Sequence, residues 1–175
     1  QYTSALNQFD TAVNAESDGK YSEYYKAFYY LNRGVLRAEM IDFISSIENN
    51  VQTLTMDDKG TTRARVRDQV SRTYDYSEAI DDMLAADRLL PGVPYIYFNL
   101  GNLYCLSSKF VESVDSYTKA INVYPYMGDA YFNRGLVLIY LKDKEKGCID
   151  LSRAGELGVS DAYSVISKYC EEEKN

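Results

Sequence analysis

Small and large apolar residues recur along this chain in two alternating patterns. In the first, Tyr97, Leu100, Gly101 and Tyr104 follow an i, i+3, i+4, i+7 spacing, which puts them on one face of an amphipathic helix. In the second, a small residue precedes a large one by four positions, and another small residue follows three later. The instances are Ala5-Phe9-Ala12, Ala79-Met83-Ala86, Ser113-Tyr117-Ala120 and Gly147-Leu151-Ala154, each confined to one helix face. The last three trios are 34 residues apart, and Tyr97–Tyr104 returns 34 residues later as Tyr131–Leu138. A weaker copy, Tyr30-Leu31-Asn32-Arg33-Gly34, lies 67 residues before Tyr97. Alternation with this period predicts helical hairpins that cannot bury their apolar faces singly and must stack.

Gly101 inside a helix costs about 1 kcal/mol of helix propensity. The expected offset is close approach of the hairpin's second helix, and Gly34 and Gly135 hold the equivalent place. Turns are predicted at Ser107-Ser108-Lys109 and Lys142-Asp143-Lys144, with Pro125 and the Pro91-Gly92-Pro94 group closing hairpins.

Residues 94–127 resemble the tetratricopeptide repeat (TPR) family. Tyr97, Leu100, Gly101, Tyr104, Ser113, Tyr117, Ala120 and Pro125 match its signature positions in order. Residues 128–161 resemble a second copy through Tyr131, Gly135, Leu138, Gly147, Leu151 and Ala154. That copy departs at Arg134 and Val159, where the family prefers Leu and Pro. Residues 162–173 resemble the capping helix that ends such arrays, and residues 1–16 the second helix of a truncated repeat. The resemblance implies an all-α fold, a right-handed superhelical stack of antiparallel helix hairpins forming a single domain over 1–175. It also suggests a piece of a longer chain.

Residues 21–93 are less regular. Tyr30–Gly34 begins a first helix whose natural partner around Ala79 arrives late, which predicts a helical insertion over about 41–73, with Met56-Asp57-Asp58-Lys59-Gly60 as a loop between two helices. The alternative makes 60–93 a full repeat with a first helix through Arg63, Val66, Arg67 and Val70. The insertion is preferred because Arg67 would obstruct helix crossing at the close-packing position.

Composition narrows the function. Apolar residues at 46% and charged residues at 26% fit an ordered globular chain. A net charge of −7 opposes nucleic acid and anionic membranes and favours a neutral, apolar or basic partner. With no His, imidazole metal sites and Ser–His or Cys–His catalysis are excluded. No apolar run approaches the roughly 20 residues of a membrane span. Cys105, Cys148 and Cys170 are odd in number and lack a CxxC pair, so they read as small buried residues, leaning toward a reducing cytoplasm. Neither cofactor nor metal is signalled. Glu39, Asp42 and Glu48 do not converge on one point, so they read as a solvated face rather than a catalytic group. Arg63, Arg65, Arg67 and Arg72 likewise read as a solvated face, and Glu171-Glu172-Glu173 as a solvated end.

In the family, first helices line a concave binding face. Carried over by position, that face comprises Asn32, Tyr95, Phe98, Asn99, Asn102, Asp129, Phe132, Asn133, Leu136 and Tyr140, with Leu31, Val35, Ala38, Glu39, Cys105, Leu106 and Ile139 beside them. The Lys–Asn carboxylate clamp of some members is absent, because Leu31, Phe98, Phe132 and Val35 stand at its positions. Asn32, Asn99 and Asn133 recur at one position and either grip a peptide backbone or satisfy local groups. The expected function is a non-catalytic protein-interaction scaffold with an aromatic-lined groove. The alternatives are self-association within a larger complex and, more remotely, a carboxylate enzyme.

Overall fold

A computed structural model describes residues 1–15, 22–50, 54–56, 62–64 and 74–171. Eight helices occur among them: α1 (Tyr2–Asn14), α2 (Ser22–Asn50), α3 (Ser77–Leu89), α4 (Pro94–Leu106), α5 (Phe110–Val123), α6 (Gly128–Tyr140), α7 (Lys144–Glu156) and α8 (Asp161–Tyr169). The most extensive packing is within the pairs α2/α3, α4/α5 and α6/α7. Lesser contacts join α1 to α2, α3 to α4, α5 to α6 and α7 to α8, and α4 also touches both α2 and α6. The fold is all-α in class.

Turn chemistry sets the element ends. Pro94 opens α4 at a position where its missing N–H costs nothing. Asp143 caps α7 by accepting from the Lys146 amide at 3.4 Å. At the ends of α4, α6 and α7, one residue enters the left-handed region: Ser108 (φ 58°), Lys142 (φ 71°) and Gly158 (φ 96°). In each, the following amide reaches back five residues: Lys109 to Tyr104, Asp143 to Leu138 and Val159 to Ala154.

Three of the four spaced trios face inward, while Ala5, Phe9 and Ala12 are only half-buried. Ala79, Met83, Ala86, Tyr117, Ala120, Leu151 and Ala154 are at most 2% exposed, as is Ser113. The helix glycines lie where partners cross most closely. A Cβ on Gly135 would stand 2.9 Å from the Gly147 carbonyl oxygen, and one on Gly147 2.8 Å from that of Gly135. A Cβ on Gly101 would collide with the Tyr117 ring, and Ser113 Oγ donates to the Gly101 carbonyl at 2.8 Å beside it. Gly34 is seated against Ala79, Asp82 and Met83.

A polar bridge crosses two of the three hairpins at the same repeat position. Arg134, just before Gly135, grips Asp150 with Nε at 2.7 Å and Nη2 at 2.8 Å, and its Nη1 donates to Thr118 at 2.9 Å. Arg33, just before Gly34, grips Asp82 at 3.0 and 2.6 Å and reaches Asp10 at 2.7 Å. Asp82 and Asp150 are buried, and Arg37 adds a second bridge to Asp82. The Asp82 hydrogen bonds hold the Arg33 guanidinium pKa above its ordinary value. At the middle hairpin the same three places are Leu84 on α3, Leu100 and Ser116, and Leu84 and Leu100 share one apolar cluster where the other two have an ionic bridge. Arg134, which breaks the family's Leu preference, is therefore one of two matched inlays.

Two expectations are corrected. The segment after Gly34 is not a purely helical insertion. Without Pro or a turn dipeptide to stop it, α2 runs on to Asn50, 29 residues in all, and beyond it Leu54–Met56 pairs antiparallel with Thr62–Ala64 (Leu54↔Ala64, Met56↔Thr62). Of the alternative helix, Arg63 lies in the strand Thr62–Ala64. Asp57, Asp58, Lys59, Gly60, Arg65, Val66, Arg67, Val70, Arg72, Glu172 and Glu173 lie outside the described residues. The second correction concerns cysteine. Cys148 and Cys170 form a disulfide with Cα atoms 5.7 Å apart, tying α7 to the end of α8. Spacing along the sequence held no sign of it, because packing of α8 on α7 brings the two together. The argument for a reducing compartment from unpaired cysteines falls with it. Cys105 alone is free, and burial pushes its thiol pKa up, away from reactive thiolate.

Three outcomes follow from this packing. Gly135→Ala, which would gain about 1 kcal/mol of helix propensity in an open helix, lowers stability to urea by about 1–3 kcal/mol because backbone must shift. Asp150→Ala costs about 3 kcal/mol by leaving Arg134 uncompensated, whereas the combined Thr118→Leu, Arg134→Leu, Asp150→Ser chain, a copy of the middle hairpin, unfolds within about 1 kcal/mol of the parent. Buried Tyr76 donates to Asp42 at 3.0 Å, and burial, with that carboxylate adding, pushes its pKa up to about 12. The folded state thus favours neutral phenol, a contribution complete below the unfolded value near 10 and lost as pH rises toward 12. Tyr76→Phe should flatten the fall in stability between these pH values by up to about 1.4 kcal/mol per unit.

Candidate partner-binding surface

The first helices α2, α4 and α6 are neighbours, and their close-packing positions face α3, α5 and α7. Residues elsewhere on these helices stay partly open. Tyr95 and Tyr140 are 61% and 64% exposed, Leu136 is exposed at 37%, and Asp129 is exposed. Phe98, Asn99, Asn102, Phe132 and Asn133 are half-buried, as is Asn32 on α2.

The asparagines differ in what they do. Asn32 Nδ2 donates to the Phe28 carbonyl at 2.7 Å, within its own helix. Asn102 Oδ1 accepts from the Tyr117 hydroxyl at 2.6 Å and from Asn133 Nδ2 at 3.0 Å, so it links α4, α5 and α6. Asn99 makes no side-chain hydrogen bond among the described residues. The Tyr117 ring is buried, and burial raises its phenol pKa, which keeps it a neutral donor in this link.

One cleft takes in three of the expected residues. Tyr95, Phe98 and Asp129 are brought together, lining a cleft of about 360 Å³ with Tyr124, Tyr126, Met127, Gly128, Leu157, Gly158 and Val159. Tyr140 instead stacks on Phe110 with ring centres 4.6 Å apart. Leu106 lines a second, smaller cleft of about 150 Å³ with Tyr74, Tyr76, Ile80 and Lys109. Tyr124 and Tyr126, whose rings stand edge-on at 6.1 Å, were not anticipated. They flank Pro125 in the α5–α6 turn, so the run Tyr-Pro-Tyr was the available signal. Val159, at the other family departure, packs where a Cβ on Gly128 would stand 2.9 Å from its methyl group, so the bare Gly128 lets the α7–α8 turn close on the start of α6.

Among the described residues no group of three or more metal-ligating side chains occurs, and no helix is long and apolar enough to cross a membrane.

No family model matches the chain. One stretch is similar to a UDP-N-acetylglucosamine–peptide N-acetylglucosaminyltransferase of Giardia intestinalis, 28% identical over 86 residues. The similarity covers 49% of this chain and 6% of that enzyme.

Proposed function

We propose that this chain is a TPR-like scaffold without catalytic activity, whose hairpins stack into a right-handed superhelix and hold a protein or peptide segment across the first helices. The observation that carries this reading is the division of labour on α4 and α6. Gly101 and Gly135 bury one face against the second helices, while Tyr95, Asp129, Leu136 and Tyr140 remain exposed on the same elements. A face held by packed hairpins needs little further ordering to bind, so its side chains act at low entropic cost. Half-buried Phe98 and Phe132 make apolar anchors the main source of affinity, with charge secondary. The net charge of −7 favours a neutral or basic segment. The similarity to a fragment of the Giardia transferase supports a repeat-bearing part and carries none of that enzyme's activity here, since it spans so little of its length.

A second reading, self-association, has its own support in exposed apolar residues near the other ends of these helices. Leu106, Val111, Tyr140 and Leu141 are 40–64% exposed, and the Tyr140 ring meets that of Phe110. Light scattering over a concentration series separates the two, because a peptide receptor keeps a constant mass.

Peptides selected on the intact chain from a random display library provide the direct test. Phe132→Ala with Leu136→Ala should weaken the selected peptides at least tenfold in fluorescence polarisation, while Val111→Ala on α5 leaves them unchanged. Equal affinity for both variants would remove the first helices from the binding face.

A further inference from the structure

The cleft beside the α5–α6 turn has a chemical character of its own. Its lining includes three tyrosines and a phenylalanine, Tyr95, Tyr124, Tyr126 and Phe98, with Asp129 as the single charged residue among those described. Among the described residues no Lys or Arg lines it, and Asp129 has no ion-pair partner.

Five tyrosines elsewhere are treated differently, although others, such as Tyr24, Tyr25, Tyr140 and Tyr163, also carry no cation among the described residues. Tyr30, Tyr97, Tyr104, Tyr131 and Tyr169 each carry a cation from this chain over the ring, at 4.9 to 6.0 Å: Arg33, Lys119, Lys109, Arg134 and Lys168. The three cleft tyrosines, 45–66% exposed, carry none among the described residues. Their negative ring faces are left for a cation from outside.

Helix ends could oppose this, since the starts of α4 and α6 present about half a positive charge each. The ends of α5 and α7 also meet the cleft, through Tyr124 and through Leu157–Gly158, and offset them with partial negative charge of similar size. That leaves the full charge of Asp129 to set the sign. The cleft of about 360 Å³ has room for a guanidinium and its alkyl stem, and Gly158, with nothing within 4 Å of an added Cβ, leaves bare backbone on that side.

We propose that the tyrosine cleft of Tyr95, Tyr124, Tyr126 and Asp129 is a subsite for an arginine side chain of a basic protein segment. This rests on the scaffold reading above and adds to it the chemistry of one anchor. The guanidinium lies against the tyrosine rings with an N–H toward Asp129, and its stem covers Leu157 and Val159. Arginine suits the site better than lysine, because its planar, weakly hydrated cation stacks on aromatic rings.

The test titrates the isotope-labelled chain with N-acetyl-arginine amide, and in parallel with the citrulline and glutamate analogues, following backbone amide signals. Arginine amide should shift Gly128, Asp129, Gly158 and Val159 saturably, binding at least fivefold more tightly than citrulline amide, with no response to glutamate amide. Tyr126→Ala and Asp129→Asn, both at exposed positions, should each weaken it about three- to tenfold with unchanged thermal midpoint. Equal response to citrulline, or shifts scattered over the acidic surface, overturns the subsite. A Phe132→Ala, Leu136→Ala chain separates the two ideas. It should lose the library-selected peptides yet keep the arginine response, so loss of arginine binding alone condemns the cleft and leaves the scaffold standing.

Discussion

The closeness with which two helix backbones approach in each hairpin controls the rest of the structure. In α6/α7 the contact is reciprocal: Gly135 meets the carbonyl of Gly147, and Gly147 meets that of Gly135. In α4/α5 the Tyr117 ring lies over Gly101. Each crossing fixes which face of a first helix is lost to the partner and which stays open. Interiors packed at this density do not absorb an added methyl group without backbone movement. The open face is thus set by what the closed face cannot accommodate.

Polar inlays add a second layer of specification between hairpins. Arg33 joins its own second helix through Asp82 to the preceding helix through Asp10, and Arg134 does the same through Asp150 and Thr118. At the middle hairpin Leu84 and Leu100 belong instead to one apolar cluster shared with the preceding hairpin. The part-buried guanidinium of Arg33 or Arg134, set against Leu84, would lose one of its partners. The three boundaries are therefore not interchangeable, and the order of hairpins is written into them. Buried ion pairs often contribute little net stability, which makes selection among neighbours the more natural use of these two.

Much of the helical pairing is visible in residue spacing, because a 34-residue period and glycine at fixed places state a local packing rule. What spacing does not carry is contact between different repeats. The cleft draws Tyr95 and Phe98 from α4, Tyr124 and Tyr126 from one turn and Val159 from another, so no single window contains it. Cys148 and Cys170 meet for the same reason. Asn102 and Asn133 look alike as groove residues in sequence, yet they are joined to one another and to Tyr117. Arg134 reads as a flaw in the repeat until Asp150 and Thr118 appear beside it. The ribbon of Leu54–Met56 and Thr62–Ala64 escaped notice because three-residue strands offer too few positions for an alternating pattern to register.

The most direct measurement of the central claim is proton NMR of the glycines at the crossings. The Gly101 α-protons should be shifted strongly upfield by the Tyr117 ring current and show cross-relaxation to that ring, and Gly135 should show cross-relaxation to Leu151. Glycine α-protons at ordinary positions, with no cross-peaks to Tyr117 or Leu151, would mean that the helices do not meet there, and the account of both the stack and its open face would be wrong.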